Sequence, residues 1–91
     1  MIYELKIKHS VEKAISKWKK SNPRQHKKFI QIIDELINHP KTGTGHPEPL
    51  VGWKGIRWSR HITAHDRIIY DIFDDIVVVE VIQVERHYDD K

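Results

Sequence analysis

The amino-acid sequence predicts an α+β domain with the element order β-α-α-β-β-β and a mainly antiparallel sheet. Three observations carry that prediction. Apolar residues recur at helical spacing between Val11 and Ile37, whereas β-branched runs crowd the chain after Ile56. Between the two lies Lys41 to Gly55, with four glycines and two prolines in fifteen residues. Helices grouped together and strands grouped together pack as a helical hairpin on one face of a sheet, leaving the other face to the polar residues of the strands.

Each element has its own justification. Ile2 to Ile7 alternates, with Tyr3, Leu5 and Ile7 on one face, and reads as a short strand. Ser10 is the expected N-cap of the first helix, with Glu12 suited to the positive end of its dipole. Val11, Ala14, Ile15 and Trp18 form an apolar stripe, and Lys13, Lys17, Lys19 and Lys20 fall largely opposite it. Asn22-Pro23 restarts the chain as a cap followed by a proline at the first helical position. His26, Phe29, Ile30, Ile33, Leu36 and Ile37 hold helical spacing until Asn38-His39-Pro40 ends the second helix. Lys41 to Gly55 is a loop, and its length in so small a domain suggests a functional one. Ile56 to Ile62 alternates as a strand, with Trp58 and Arg60 on the Ile face and Arg57, Ser59 and His61 on the other. Ala64-His65-Asp66 is a turn. Arg67 to Phe73 and Ile76 to Arg86 are strands joined through Asp74-Asp75, the last of them central to the sheet.

Ninety-one residues, 38% hydrophobic and 32% charged, make a single domain over 1–91 with one modest core. No apolar run is long enough to span a membrane, and the N-terminus lacks the pattern of a signal peptide. Cysteine is absent, which excludes disulfides, thiolate metal sites and cysteine nucleophiles and fits a reducing compartment. A net charge of +3 with seven histidines counted neutral favours an anionic partner such as nucleic acid.

The chemically rich residues cluster in Gly43 to Tyr70 and in Arg86-His87-Tyr88. An antiparallel meander would bring His87 near Arg67 and near the strand of Arg57 and Arg60, with the Pro-flanked Glu48 loop alongside. A carboxylate, arginines, a histidine and a tyrosine are the parts needed for acid–base cleavage of RNA. A base takes the ribose 2′-hydroxyl proton, the oxygen attacks phosphorus, and an acid protonates the departing 5′-oxygen. Guanidinium groups would hold the charge that builds on the phosphoryl oxygens. Every piece also has a bland reading. Glu48 fits a solvated loop, His87 fits a tail, Trp53 and Trp58 fit either core or base stacking, and the lysines fit a solvated helix face. Trp18 and Phe29 belong in the core. His61 and His65 have the spacing of a helical zinc pair but fall in a strand and a turn, without a partnering glutamate. His46-Pro47-Glu48 matches half of a zinc deaminase signature whose cysteines this chain lacks.

GTGHPEPL at 43–50, WSRHIT at 58–63, DRIIYDIFDD at 66–75 and RHY at 86–88 together resemble the YoeB/Txe family of toxins, part of the RelE-like group of bacterial toxin–antitoxin systems. The resemblance is close from Gly43 to Tyr88 and one of pattern before that. It implies the RelE-like fold and an mRNA interferase, a metal-independent endoribonuclease that cuts mRNA on the ribosome without any cofactor. It carries the general base to Glu48, transition-state stabilisation to Arg67, the general acid to His87 and a substrate-positioning tyrosine to Tyr88. Arg57, Trp58, Arg60, His61 and Arg86 are expected to contact RNA. Implied partners are a cognate antitoxin of the YefM/Axe type, the ribosome and mRNA, in the cytoplasm, with no membrane; a homodimer is also open to it.

The chain departs from the family pattern at three places. It continues through Asp89-Asp90-Lys91, carries Arg86 where an aromatic residue is expected, and carries His61 where a second arginine is expected. These changes bear on rate and codon preference more than on reaction type. An alternative reading keeps the fold as a catalytically weak or inactive module that binds nucleic acid or the antitoxin.

Overall fold

A computed structural model describes residues 2–86, the last of these by its backbone alone. The elements are β1 (Glu4–Ile7), α1 (His9–Ser21), α2 (Pro23–Asn38), β2 (Glu48–Pro49), β3 (Arg57–His61), β4 (Asp66–Phe73) and β5 (Val78–Arg86). They build one five-stranded sheet in the order β1-β5-β4-β3-β2. β1 runs parallel to β5, and every other neighbouring pair is antiparallel. The last strand is therefore interior, as its apolar run requires, and Val79 and Val81 are fully buried in it.

The two helices cover one face. Val11 and Ile15 of α1 and Phe29, Ile32, Ile33 and Leu36 of α2 meet Ile68, Tyr70, Ile72, Val79 and Val81 of the sheet. Each such apolar side chain contributes about 1.5–3 kcal/mol by leaving water. Trp18 closes the helix pair edge-on against Phe29, with ring centroids 6.3 Å apart.

Asn22 caps α2 as expected, its side chain accepting from the Gln25 amide at 3.3 Å, with Pro23 in the first turn. Ser10 does not cap α1. The helix starts two residues earlier, with Lys8 at the N-cap position, because the Lys8 amide is tied to the Val81 carbonyl and the Lys8 carbonyl already accepts from Val11 and Glu12. Ser10 thus falls inside the first turn. The loop expected from Lys41 to Gly55 holds the short strand β2, which pairs Glu48 with Ser59 and Pro49 with Trp58. The last hairpin turns over Asp74 to Val77 rather than two residues, with Val77 at a positive φ of 56°. Ile69 opposes Gln83 and Tyr70 opposes Val81, so Ile82 is an extra residue bulging from β5.

Candidate active site

Residues directly opposite one another in antiparallel strands share a face of the sheet. The register therefore puts Glu48, Ser59, Ile69 and Gln83 in one row across the face that the helices leave open. The next row toward the strand ends holds His61, Arg67 and Glu85. With strands about 4.8 Å apart and a rise of about 3.4 Å per residue, the Cα atoms of Glu48 and Arg67 lie about 12 Å apart. Glu48 is exposed, and His61 stands beside Arg67, also exposed.

Arg67 is pinned by Glu85, whose Oε2 accepts from its Nε at 3.1 Å and its Nη2 at 3.0 Å. That leaves the Nη1 edge of the fork without a hydrogen-bond partner among the described residues. Around it, His61, Ala64, His65, Asp66 and Arg67 line a shallow pocket of about 190 Å³. Asp66 shapes its floor: its carboxylate accepts from the Thr63 hydroxyl at 2.8 Å, and that hydroxyl accepts from the His65 and Asp66 amides. The last residue of β5, Arg86, is in register with Asp66, so the chain leaves the described region beside this pocket. His87 and Tyr88 lie outside the described residues, as does the Arg86 side chain.

The remaining expected RNA contacts divide sharply. Arg57 shares the open face but is engaged, with a two-point contact to Asp71 at 2.7 and 3.0 Å and its guanidinium 3.7 Å from the Trp53 ring centre. The hydrogen bond to Asp71 raises its pKa above the ordinary arginine value. Trp58 is on the helix side, half-buried against the core, with its indole N–H donated to Gly55. Trp53, on the preceding loop, is the exposed indole instead.

Arg60 is fully buried, and so cannot meet RNA in this conformation. It occupies the apolar register of β3, and an arginine in that register must find acceptors inside. Its Nε donates to the Tyr70 hydroxyl at 3.1 Å. Nη1 donates to Glu35 at 2.8 Å and to the Thr44 carbonyl at 3.4 Å, and Nη2 to the carbonyls of His39 and Thr42. Glu35 also accepts from the amide and the hydroxyl of Thr44. Burial pushes the Glu35 carboxyl up, but the bonds from Thr44 and Arg60 outweigh it and hold the group below its ordinary value. Burial likewise raises the Tyr70 phenol, against the opposing pull of Arg60. Tyr70 remains a donor to the Pro40 carbonyl at 2.8 Å. Glu35, Thr44 and Tyr70 were not singled out in the sequence; the one signal was Arg60 itself, a charge sitting between Trp58 and Ile62 on an apolar face.

Among the described residues no group of three or more His, Asp or Glu side chains is gathered as a metal would need. His61 ends β3 and His65 lies in the following turn, so the two do not share a helix face. Among the described residues, no helix is long and apolar enough to cross a membrane.

A family model described as the YoeB-like toxin of bacterial type II toxin-antitoxin systems matches residues 8–88. The chain is 34% identical over 71 residues to Toxin YoeB of Streptomyces coelicolor, covering 78% of this chain and 82% of that protein. In three dimensions it is similar to a YoeB/ParE toxin from Agrobacterium tumefaciens, with a TM-score of 0.81 and 33% identity, over 93% of this chain and 99% of the other. The toxin fold of a YoeB-YefM complex from Staphylococcus aureus superposes with a TM-score of 0.76 at 18% identity, over 97% of this chain and all of that one. The first two similarities extend over both the helical half and the Glu48-to-Arg67 region; the chain belongs to the YoeB-like family of type II toxin–antitoxin toxins.

Proposed function

We propose that this protein is a ribosome-dependent endoribonuclease that inhibits translation by cutting mRNA. The observation that carries this reading is the strand register, which supports Glu48 and Arg67 sharing the face of the sheet opposite the helices, their Cα atoms about 12 Å apart. Glu48 takes the proton of the 2′-hydroxyl, and the freed oxygen attacks the adjacent phosphorus. The P–O5′ bond breaks as His87 protonates the departing oxygen, leaving a 2′,3′-cyclic phosphate and a 5′-hydroxyl. Arg67, oriented by Glu85, donates its open edge to the phosphoryl oxygens as their charge rises. Tyr88 helps position the substrate. The steps balance with protein groups alone. The protein works as a single domain in the cytoplasm, and an antitoxin of the YefM type covers the open face to hold it inactive, a reading supported by the named complex of its Staphylococcus relative.

Primer extension on a short mRNA in a reconstituted translation reaction tests this. Discrete cuts should require ribosomes and fall about 10²–10⁴-fold in Glu48→Ala, the usual worth of a positioned acid or base. Undiminished cutting by that variant would move the base elsewhere. Absence of cutting by folded wild-type protein would favour a binding module that keeps the fold without the activity.

A further inference from the structure

The buried Arg60 network points beyond the groups that touch RNA. Resting on Glu48 as the base, we propose that Arg60, charge-balanced by Glu35, is a positioning residue that fixes where Glu48 stands over the open face.

A guanidinium has five N–H donors, and here each has an acceptor: one on Tyr70, two on the Glu35 and Thr44 side, two on His39 and Thr42. Three of those acceptors are carbonyls of the connection between α2 and β2. A fourth carbonyl of that connection, Pro40, is held through Tyr70. Glu35 completes the clamp by taking the Thr44 amide at 2.7 Å. The segment from 39 to 44 is thereby tied by three of its carbonyls to one side chain of β3 and by a fourth to Tyr70 of β4.

Glu48 follows closely. The Gly45 carbonyl accepts from the His61 amide at 2.7 Å, and only His46 and Pro47 separate that anchor from Glu48. His46 has a φ of 53° and Pro47 a fixed one, so little freedom remains between them. On the far side, the Leu50 amide donates to the Arg57 carbonyl at 2.8 Å. β2 itself is two residues long at the sheet edge, too short to hold its own place. The position of the carboxylate is thus set by β3 from both sides: by its ladder on one face and by Arg60 reaching through the other.

Core stability alone does not call for this arrangement. Well-packed apolar side chains of similar volume often stabilise a core as well as a buried ion pair does. What they cannot do is hold three separate carbonyls in fixed directions. A displacement near 1 Å at a reacting group costs about 10²-fold in rate, so the clamp bears directly on the step that Glu48 performs.

Arg60→Lys keeps the charge opposite Glu35 but has only three donors on a single nitrogen. Glu35→Gln keeps shape and loses the charge, and serves as the second variant where Arg60→Lys fails to fold. Single-turnover cleavage is measured against ribosome concentration, alongside amide hydrogen exchange on the full chain. The expected result is a rate constant lowered about 10–100-fold at an unchanged half-saturating ribosome concentration, the signature of a lost transition-state contact. Exchange at the His61 and Leu50 amides should accelerate, while the core amides of α2 stay protected. A wild-type rate despite faster exchange overturns the proposal. So does unchanged exchange, or a rate that falls only in step with weaker ribosome binding. Wild-type protein that cuts nothing would instead overturn the ribonuclease reading, and exchange at those two amides would then decide the clamp by itself.

Discussion

At the residue scale, Gly43 and Glu35 show how tightly the chain has committed to one arrangement. Gly43 has a φ of 123°, and a Cβ there would come within 2.2 Å of Glu35 Oε1. That carboxylate is the far end of a side chain, which would ordinarily yield. Here it is held by the amide and hydroxyl of Thr44 and by Arg60. Gly43→Ala should therefore cost about 1–3 kcal/mol in a denaturant melt, from backbone strain and the displaced carboxylate together. A change smaller than about 0.5 kcal/mol would show the network to be softer than its bonds indicate. The same carboxylate sets a pH dependence. Its folded pKa lies below the ordinary value of 4.5, so the unfolded chain binds the proton more tightly. The stability it contributes is complete above the ordinary value and drains as pH falls through the depressed folded one. Asp74, lowered by hydrogen bonds from Tyr3 and Lys41, acts in the same direction. Acid titration of the melting transition should show this loss, and Glu35→Gln should flatten it in that window.

At the element scale, what holds each piece decides what a mutation there does. α2 begins with a side-chain cap on Gln25, and Asn22→Ala should cost about 1 kcal/mol, read as a lower unfolding midpoint with unchanged denaturant dependence. No such loss is expected for Ser10→Ala, because Ser10 caps nothing. The contrast also marks what sequence can carry. Asn22-Pro23 is a local signal and was legible, as were the two helices, the long strands and the turn at Asp74. Ser10 looked equally good, but the start of α1 is decided by a bond between Lys8 and Val81, 73 residues along the chain, which no local pattern records. β2 was illegible for the same reason: Glu48 and Pro49 are a strand only because Ser59 and Trp58 lie beside them. Within the site, Glu48 and Arg67 could be picked out by motif, and the alternation of β3 already put Arg60 on the apolar side. Its acceptors could not be read, since four of the five residues that hold it lie between 35 and 44 and owe their nearness to folding.

At the scale of the whole molecule, the two faces divide the electrostatic work. On the open face the arginines are largely balanced, Arg57 by Asp71 and Arg67 by Glu85. The net charge of +3 is carried instead by the exposed Lys13, Lys17, Lys19 and Lys20 of α1 and by Arg24 and Lys27 of α2. Exposed charges of this kind act over distance and are screened by salt, whereas a contact at hydrogen-bond range is screened far less. Binding and chemistry should consequently respond differently to ionic strength. The half-saturating ribosome concentration should rise steeply between about 50 and 200 mM salt as displaced counterions compete for phosphate. The cleavage rate at saturating ribosomes should hardly move, because the roles proposed for Glu48 and Arg67 are played at contact distance. Replacing both Lys17 and Lys20 with Gln should lessen the salt slope by about one unit for each lysine that meets a phosphate, whereas Glu48→Ala should leave the slope intact. An affinity flat in salt would remove the helical lysines from the docking surface. A cleavage rate that falls in parallel with affinity would mean that long-range charge, rather than the fixed geometry of the sheet, limits the reaction.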